Sequence, residues 1–421
     1  MNSQNKVLVL LLPKTSYRND AFLEAAQRLN ARIIAVQDRC HVLADTWESE
    51  ALLSLPFDQP AEMAKAIRVA AGDQQVEAVI GVDDAAAVAA QEVARNLSLS
   101  QNRPESAQQL TNKHAFRMIQ QRLGLPVPAI YAVTADSDKT VFNQECFPLV
   151  VKPVSLSASQ GVIRVNDPAG LMAALPRIGD IFRKENVSPE KRKIILEQYI
   201  PGQEYALEGL MNDGELQVLA VFEKTEPMEG PYFDETLYIS PARLPASLVE
   251  EFASQVSRVS VEAGWLDGPV HAEARINQNV LYLLEVAPRT IGGRCSRSLT
   301  CQLGISLEEL VLRHLLDEPV EVTRNNAVVG VCMLPVPYAG IYETVDGVDS
   351  ALQIPGIEEI MITAVAGESM LPLPEGNQYI GFIIARGDGF GAVESALLRS
   401  RSQLDIRLKP LVNLLVNRVS V

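Results

Sequence analysis

The strongest constraint on the fold is an alternation in the first hundred residues. Three apolar runs rich in β-branched side chains, VLVLLL (7–12), ARIIAV (31–36) and VEAVIGV (76–82), are each separated from the next by a helix-like segment. Strands alternating with helices predict a small parallel α/β layer. The intervening segments predict helices over 20–30, 60–71 and 84–97, the last Ala-rich with Asp83 or Asp84 as its N-cap. No Gly-x-Gly-x-x-Gly follows the first run, so a dinucleotide site there is unsupported.

A polar break over 98–106 ends this unit. A helix over about 107–123, stopped by Gly124 and Pro126, leads to a strand near 129–133 and the polar stretch TADSDKT. FPLVVKPVSLSASQGVIRV then reads as strand, Ser-rich turn with one glycine, strand. The segment 191–225 reads as three strands with PG and NDG as turns, followed by a helix over 245–263. GPVHAEARI and NVLYLLEVAPR form a hairpin turning at 277–279, and a helix covers about 306–316. Beyond Pro319, VVGVCMLPVP, IEEIMITAVA and QYIGFIIARG are strands between Gly/Pro-rich turns, with a helix near 391–401, predicting a separate C-terminal α+β module.

The chain has 421 residues, enough for three or four domains or subdomains, and its hydrophobic share of 47% supplies a large core. A net charge of −15 gives no general attraction to nucleic acid or to an anionic membrane. Any anionic ligand must be held by local cations. The five cysteines, Cys40, Cys146, Cys295, Cys301 and Cys332, form no CxxC pair or Cys/His cluster, which argues against zinc or a disulfide framework. The opening apolar run is too short for a signal peptide, and no apolar stretch approaches the ~20 residues of a membrane helix. The expectation is a soluble, cytoplasmic protein.

The sharpest chemical signal is the pair Glu273 and Glu285, twelve residues apart across the 277–279 turn. This spacing can set them side by side on antiparallel strands. Two inward carboxylates with no obvious local cation are costly unless a metal neutralises them, and Mg²⁺ takes carboxylates together with nucleotide phosphates. Arg289, Gly292, Gly293, Arg294 and Arg297 follow, guanidinium forks suited to carboxylate and phosphoryl oxygens beside a Gly pair that lets a ligand approach the backbone. The same residues also suit a buried salt-bridge network.

Lys152 ends an apolar strand and is followed by Ser157, Ser159 and Gly161, small residues able to cover phosphates with backbone N–H groups. A snorkelling edge lysine beside a polar turn would look the same. In EQYIPGQEY, the strand Gln198, Tyr199 and Ile200 could meet an adenine edge between Glu197 and Glu204, although strand glutamates are usually solvated. Lys113 has the pattern of a solvated helix face. Of the four histidines, His114, His271 and His314 show no ligand spacing.

The order of these parts resembles the ATP-grasp superfamily over roughly 101–316: a helix with Lys113, then LGLPVP, VVKP with its Ser/Gly loop, EQYIPGQE, and HAEARI…YLLEVAPRTIGG. The resemblance implies a small lobe over 107–192 and a large lobe with the metal site over 193–318, between a 1–106 N-terminal domain and a 319–421 C-terminal module. It implies that Lys113 and Lys152 contact ATP phosphates beneath a mobile loop of Ser157, Ser159 and Gly161. Glu197 and the Gln198, Tyr199, Ile200 backbone would hold adenine, and Glu204 the ribose. Glu273 and Glu285 would bind Mg²⁺, or Mn²⁺ in its place, and Arg289 would stabilise an acyl phosphate. Ala287 stands where the family usually has asparagine, so a metal ligand is missing.

The stretch 223–245 is similar to the substrate loop of L-amino-acid ligases, and the last hundred residues resemble their C-terminal module. That implies amide synthesis between a small acid or amino acid and an amino acid, with Arg294 or Arg297 gripping a carboxylate and Glu235 meeting the amine. A ligase of nucleotide metabolism and a nucleotide-binding protein without catalysis are the alternatives. The hydrophobic content permits a homodimer.

Overall fold

The computed structural model describes residues 6–14, 16–29, 31–38, 52–99, 102–135 and 146–411. Cys40 and most of TADSDKT lie outside the described residues. The first unit comprises β1 (Lys6–Leu12), α1 (Asn19–Ala26), β2 (Arg32–Gln37), β3 (Leu52–Ser54), α2 (Pro60–Ala71), β4 (Gln75–Gly81) and α3 (Asp84–Asn96). Its strands are all parallel in the order β3-β2-β1-β4, with the expected strands at β1, β2 and β4. β1 is central and buried on both faces, which explains its unbroken apolar run. The Asp83 carboxylate caps α3 by accepting the Ala86 N–H at 2.8 Å.

The helix expected over 107–123 is broken into α4 (Ser106–Thr111) and α5 (Lys113–Arg122). Asn112 takes an extended conformation, and its side chain accepts the Ala115 N–H at 3.0 Å, restarting the helix. Then come β5 (Ile130–Ala135), β6 (Leu149–Pro153), β7 (Ile163–Val165), α6 (Pro168–Lys184) and β8 (Lys193–Gln198). They build an antiparallel sheet in the order β5-β8-β6-β7, backed by α6. β8 belongs to this small sheet, although the division expected at 193 would put it in the large lobe.

The PG that reads as a hairpin turn instead carries the chain from one sheet to another. A Cβ on Gly202 would lie 2.1 Å from the Ile276 carbonyl oxygen, so only glycine fits at this crossing. The second sheet collects β9 (Gln203–Asn212), β10 (Glu215–Lys224) and β11 (Leu237–Ser240). After α7 (Ala246–Ala263) it takes β12 (Gly268–Asn277) and β13 (Val280–Ala287). The β12–β13 turn has Gln278 and Asn279 at φ 49° and 62°, a two-residue hairpin in the left-handed region that right-handed strand twist favours.

An unpredicted helix, α8 (Cys295–Leu303), precedes α9 (Leu307–Leu315). The chain ends with β14 (Val328–Pro335), β15 (Gly340–Asp346), α10 (Val348–Leu352), β16 (Ile357–Ile362), β17 (Ser369–Met370), β18 (Tyr379–Gly387), α11 (Phe390–Arg401) and β19 (Asp405–Pro410). The C-terminal α+β module is present, but it is not separate. β14, β18 and β16 extend the large sheet, whose order is β13-β12-β9-β10-β11-β14-β18-β16, while β17-β15-β19 form a small sheet beside it. One apolar cluster links the N-terminal layer to the large sheet, joining Leu8 and Phe22 to Phe222, Leu299, Val331 and Phe382. Among the described residues no helix is long and apolar enough to cross a membrane.

Candidate active site

The small and large sheets face each other across a cleft with about 750 Å³ of open space. Its walls include Lys113, Lys152, Ser157, Ser159, Glu197 to Ile200, Glu204, Glu235, Glu273 and Glu285. Residues from 113 to 285 thus meet in one place.

On the small-sheet side, Lys152 at the end of β6 and Glu197 on the adjacent β8 form a buried ion pair. Arg117, reaching up from α5 with no exposed surface, closes on both Glu197 oxygens at 3.0 and 3.1 Å. Burial would raise the Glu197 carboxyl, but Arg117 and Lys152 hold it down at about 2. Burial also lowers the Lys152 ammonium, to about 8, with Glu197 opposing that shift and Arg117 reinforcing it. Lys113 donates its ammonium to the Leu156 carbonyl, at the base of the Ser/Gly loop, and its own N–H to Val154 O at 3.0 Å. In that loop Ala158, Ser159 and Gly161 have φ of 53°, 54° and 73°. A Cβ on Gly161 would lie 2.7 Å from Pro153 Cγ, so this position needs glycine. Gly161 shapes the loop without itself lining the cleft.

At the far end of β8 the Gln198 N–H donates to Ala129 O at 2.8 Å and the Tyr199 N–H to Pro148 O at 3.2 Å. Arg275 on β12 donates to Ile200 O at 2.9 Å and lies 5.3 Å from the centre of the Tyr199 ring. Glu204 sits between Arg275, at 2.8 Å, and Lys224, at 2.6 Å. Both cations lie beyond what the sequence reading singled out. Arg275 stands two residues after Glu273 on the same strand, so period-two spacing puts it on the same face, and that signal was available.

Glu273 and Glu285 are direct register partners on β12 and β13. The expectation that no cation lies near them is corrected: Lys224 Nζ is 2.8 Å from Glu273 and 3.1 Å from Glu235, and Arg289 is 3.3 Å from Glu285. Lys224 comes from another strand, which local sequence context does not reveal, whereas Arg289 stands only four residues beyond Glu285. Arg289 also bonds Asp84, in the first turn of α3, at 2.9 Å. Burial and the neighbouring Asp84 raise the Glu285 carboxyl, with Arg289 opposing. Behind this pair, buried Glu208 accepts the Ile291 N–H at 3.0 Å and faces His271 Nδ1 at 3.4 Å; burial pushes its carboxyl up to about 7.

Hard carboxylate oxygens on a cleft wall suit Mg²⁺. Among the described residues no group of three or more His, Cys, Asp or Glu side chains is placed to cage an ion. The donor set therefore fits an ion that completes its shell with phosphate and water. Arg294 and Arg297 do not line the cleft. Arg294 has φ 59° at the start of α8, with its guanidinium 5.3 Å from the centre of the Tyr17 ring. Half-exposed Arg297 pairs with Glu359 of β16 at 2.5 Å.

Residues 145–298 match the family model of the ATP-grasp domain, and residues 332–409 that of the L-amino acid ligase C-terminal domain 2. The chain carries an ATP-grasp domain. An L-amino acid ligase from Bacillus licheniformis has the same fold with a TM-score of 0.82 at 24% identity, covering 96% of this chain and 99% of that one. Alanine–anticapsin ligase of Bacillus amyloliquefaciens is 25% identical over 49% of this chain and 47% of its own length. D-alanine–D-alanine ligase of Trichlorobacter lovleyi is 31% identical over 43% and 57%. The chain thus spans about half the length of these two relatives. Within the ATP-grasp domain lie Lys152, Glu197, Glu204, Glu273, Glu285 and Arg289, whereas Lys113 and Asp84 reach the same cleft region from outside the matched span.

Proposed function

We propose that this chain is an ATP- and Mg²⁺-dependent ligase that joins a small carboxylic acid or amino acid to an amino acid through an acyl phosphate. The observation that carries this reading is the single cleft in which two lysines and a left-handed Ser/Gly loop stand opposite a register-paired carboxylate couple backed by Arg289. The match of the C-terminal module to an L-amino acid ligase domain supports the choice of amino-acid substrates.

In this reading Lys113 and Lys152 meet the nucleotide phosphates, with Ser157, Ser159 and Gly161 above them. Gln198, Tyr199 and Ile200 flank the adenine and Glu204 the ribose. The Glu197 carboxylate, engaged by Lys152 and Arg117, fixes the lysine rather than touching the base. Glu273 and Glu285 hold Mg²⁺, which neutralises phosphate charge when bound. The substrate carboxylate oxygen attacks the terminal phosphorus and ADP leaves. The amine then attacks the acyl carbon, phosphate departs with the acyl-oxygen bond electrons, and the amine's surplus proton is lost. Arg289 faces charge developing on the acyl phosphate and Glu235 the amine, while Arg294, set against the Tyr17 ring, could meet a substrate carboxylate only beyond the walls of this cleft. Cys146, Cys295, Cys301 and Cys332 are free thiols, in keeping with a reducing cytoplasm.

The test is phosphate release from MgATP across amino acids offered singly and in pairs, with Glu285→Gln as the blank. Release that needs a pair, with a new amide mass and no signal in the blank, is the expected result. ATP binding without release for any pair would move the reading to a binding protein.

A further inference from the structure

The Ser/Gly loop is not held by its own lobe alone. The Gly161 N–H donates to the carbonyl of Pro374 at 2.9 Å, and the buried Gln160 side chain donates to the carbonyl of Glu375 at 3.0 Å and to Glu185 at 2.9 Å. Pro374 and Glu375 belong to a tight turn of the C-terminal module, where a Cβ on Gly376 would sit 1.8 Å from the Leu371 carbonyl oxygen. The turn is tied down from the other side. Arg177 on α6 grips the Glu375 carboxylate through two nitrogens, one contact at 2.9 Å, and also bonds the Tyr232 hydroxyl.

Three left-handed residues within four positions, two of them not glycine, cost conformational energy. Such a segment persists only where its surroundings over-determine it. Here two of the contacts that do so come from 210 or more residues downstream, so the loop's shape depends on where the C-terminal module sits.

We propose that the 371–376 turn is a latch, with Glu375 as its positioning residue, that holds the Ser/Gly loop in the shape that covers the nucleotide phosphates. The latch rests on the reading of this cleft as an ATP site. It makes the C-terminal module a determinant of nucleotide retention as well as a wall of the large sheet.

The test uses the full chain, with Glu375→Ala, Arg177→Glu and the exchanged pair Arg177→Glu/Glu375→Arg, followed by amide hydrogen exchange over 157–162 and by calorimetric titration with MgATP. Because the ion pair is partly exposed, each single variant should raise Kd for MgATP only roughly two- to fivefold. Loop amides should exchange faster by a similar factor, and the exchanged pair should recover both. Gln160→Glu, which sets a carboxylate against Glu185 and a carbonyl, should do the same more strongly. Loop exchange and Kd unchanged in all four variants, even with lowered melting temperatures, would overturn the latch. If wild-type protein binds no nucleotide, the ATP-site reading falls, and loop exchange alone still decides whether the turn holds the loop.

Discussion

Burial draws protons off Lys152, leaving its ammonium with a pKa of about 8 although Glu197 pairs with it. Arg117 adds repulsion from behind, so the lysine faces the cleft as a cation that is easily discharged. The sign follows directly. The protonated form attracts phosphate, and the free protein loses that form as pH rises through about 8, so MgATP affinity should weaken above that pH by up to about tenfold per unit. Calorimetric titrations from pH 7 to 9.5 on wild type and Lys152→Arg read this out. The arginine variant, charged throughout, should show no such rise in Kd; parallel curves would assign the effect to another group. Folding stability moves the other way: because the folded pKa lies below the unfolded 10.5, the cost of the buried charge is present below 8 and fades as pH rises toward 10.5. Sequence named Lys152 and Glu197 but not their mutual lock with Arg117, because Arg117 lies on a helix 80 residues from Glu197 and reads as one more polar helix residue.

Lys113 is presented by a helix start that the sequence conceals. Periodicity runs unbroken through 107–123, yet Asn112 interrupts it and caps α5, placing Lys113 in the first turn with its N–H on Val154. The signal for one helix was real and the break is tertiary, since the contact with Val154 exists only once β6 is in place. Asn112→Ala should cost about 1 kcal/mol through the lost cap, measured by urea unfolding. It should also let α4 and α5 run together, moving Lys113 and raising Kd for MgATP severalfold. Unfolding that weakens while Kd holds would separate the cap from the lysine. Elements set by local pattern were legible to within a few residues, as with α2, the β9–β10 turn at Asp213–Gly214 and the Glu273–Glu285 register. The PG crossing misled, because Gly202 is needed for the approach of Ile276 rather than for a hairpin, and a sequence shows the glycine without the neighbour.

Across the whole molecule, one ion-pair chain joins the parallel N-terminal layer to the cleft. Asp84 in the first turn of α3 holds Arg289 at 2.9 Å, and Arg289 reaches Glu285 at 3.3 Å. The Asp83 cap fixes the start of that helix, so a rigid element 205 residues away in sequence aims the arginine that the proposed chemistry needs at the acyl phosphate. A neighbouring contact joins the same two parts: the Gly293 N–H donates to the hydroxyl of Tyr17, in the loop before α1, at 2.6 Å. If aim is what Asp84 supplies, Asp84→Asn should spare nucleotide binding, since Lys113, Lys152 and the Ser/Gly loop are untouched. It should lower kcat by roughly ten- to a hundredfold, the usual penalty for a misplaced electrostatic group. Steady-state phosphate release with saturating acid and amine, beside calorimetric Kd for MgATP, distinguishes the cases. A loss confined to Kd would place Asp84 in nucleotide binding instead. Equal losses in kcat and thermal stability, with activity per folded molecule unchanged, would reduce the N-terminal layer to a support for the fold.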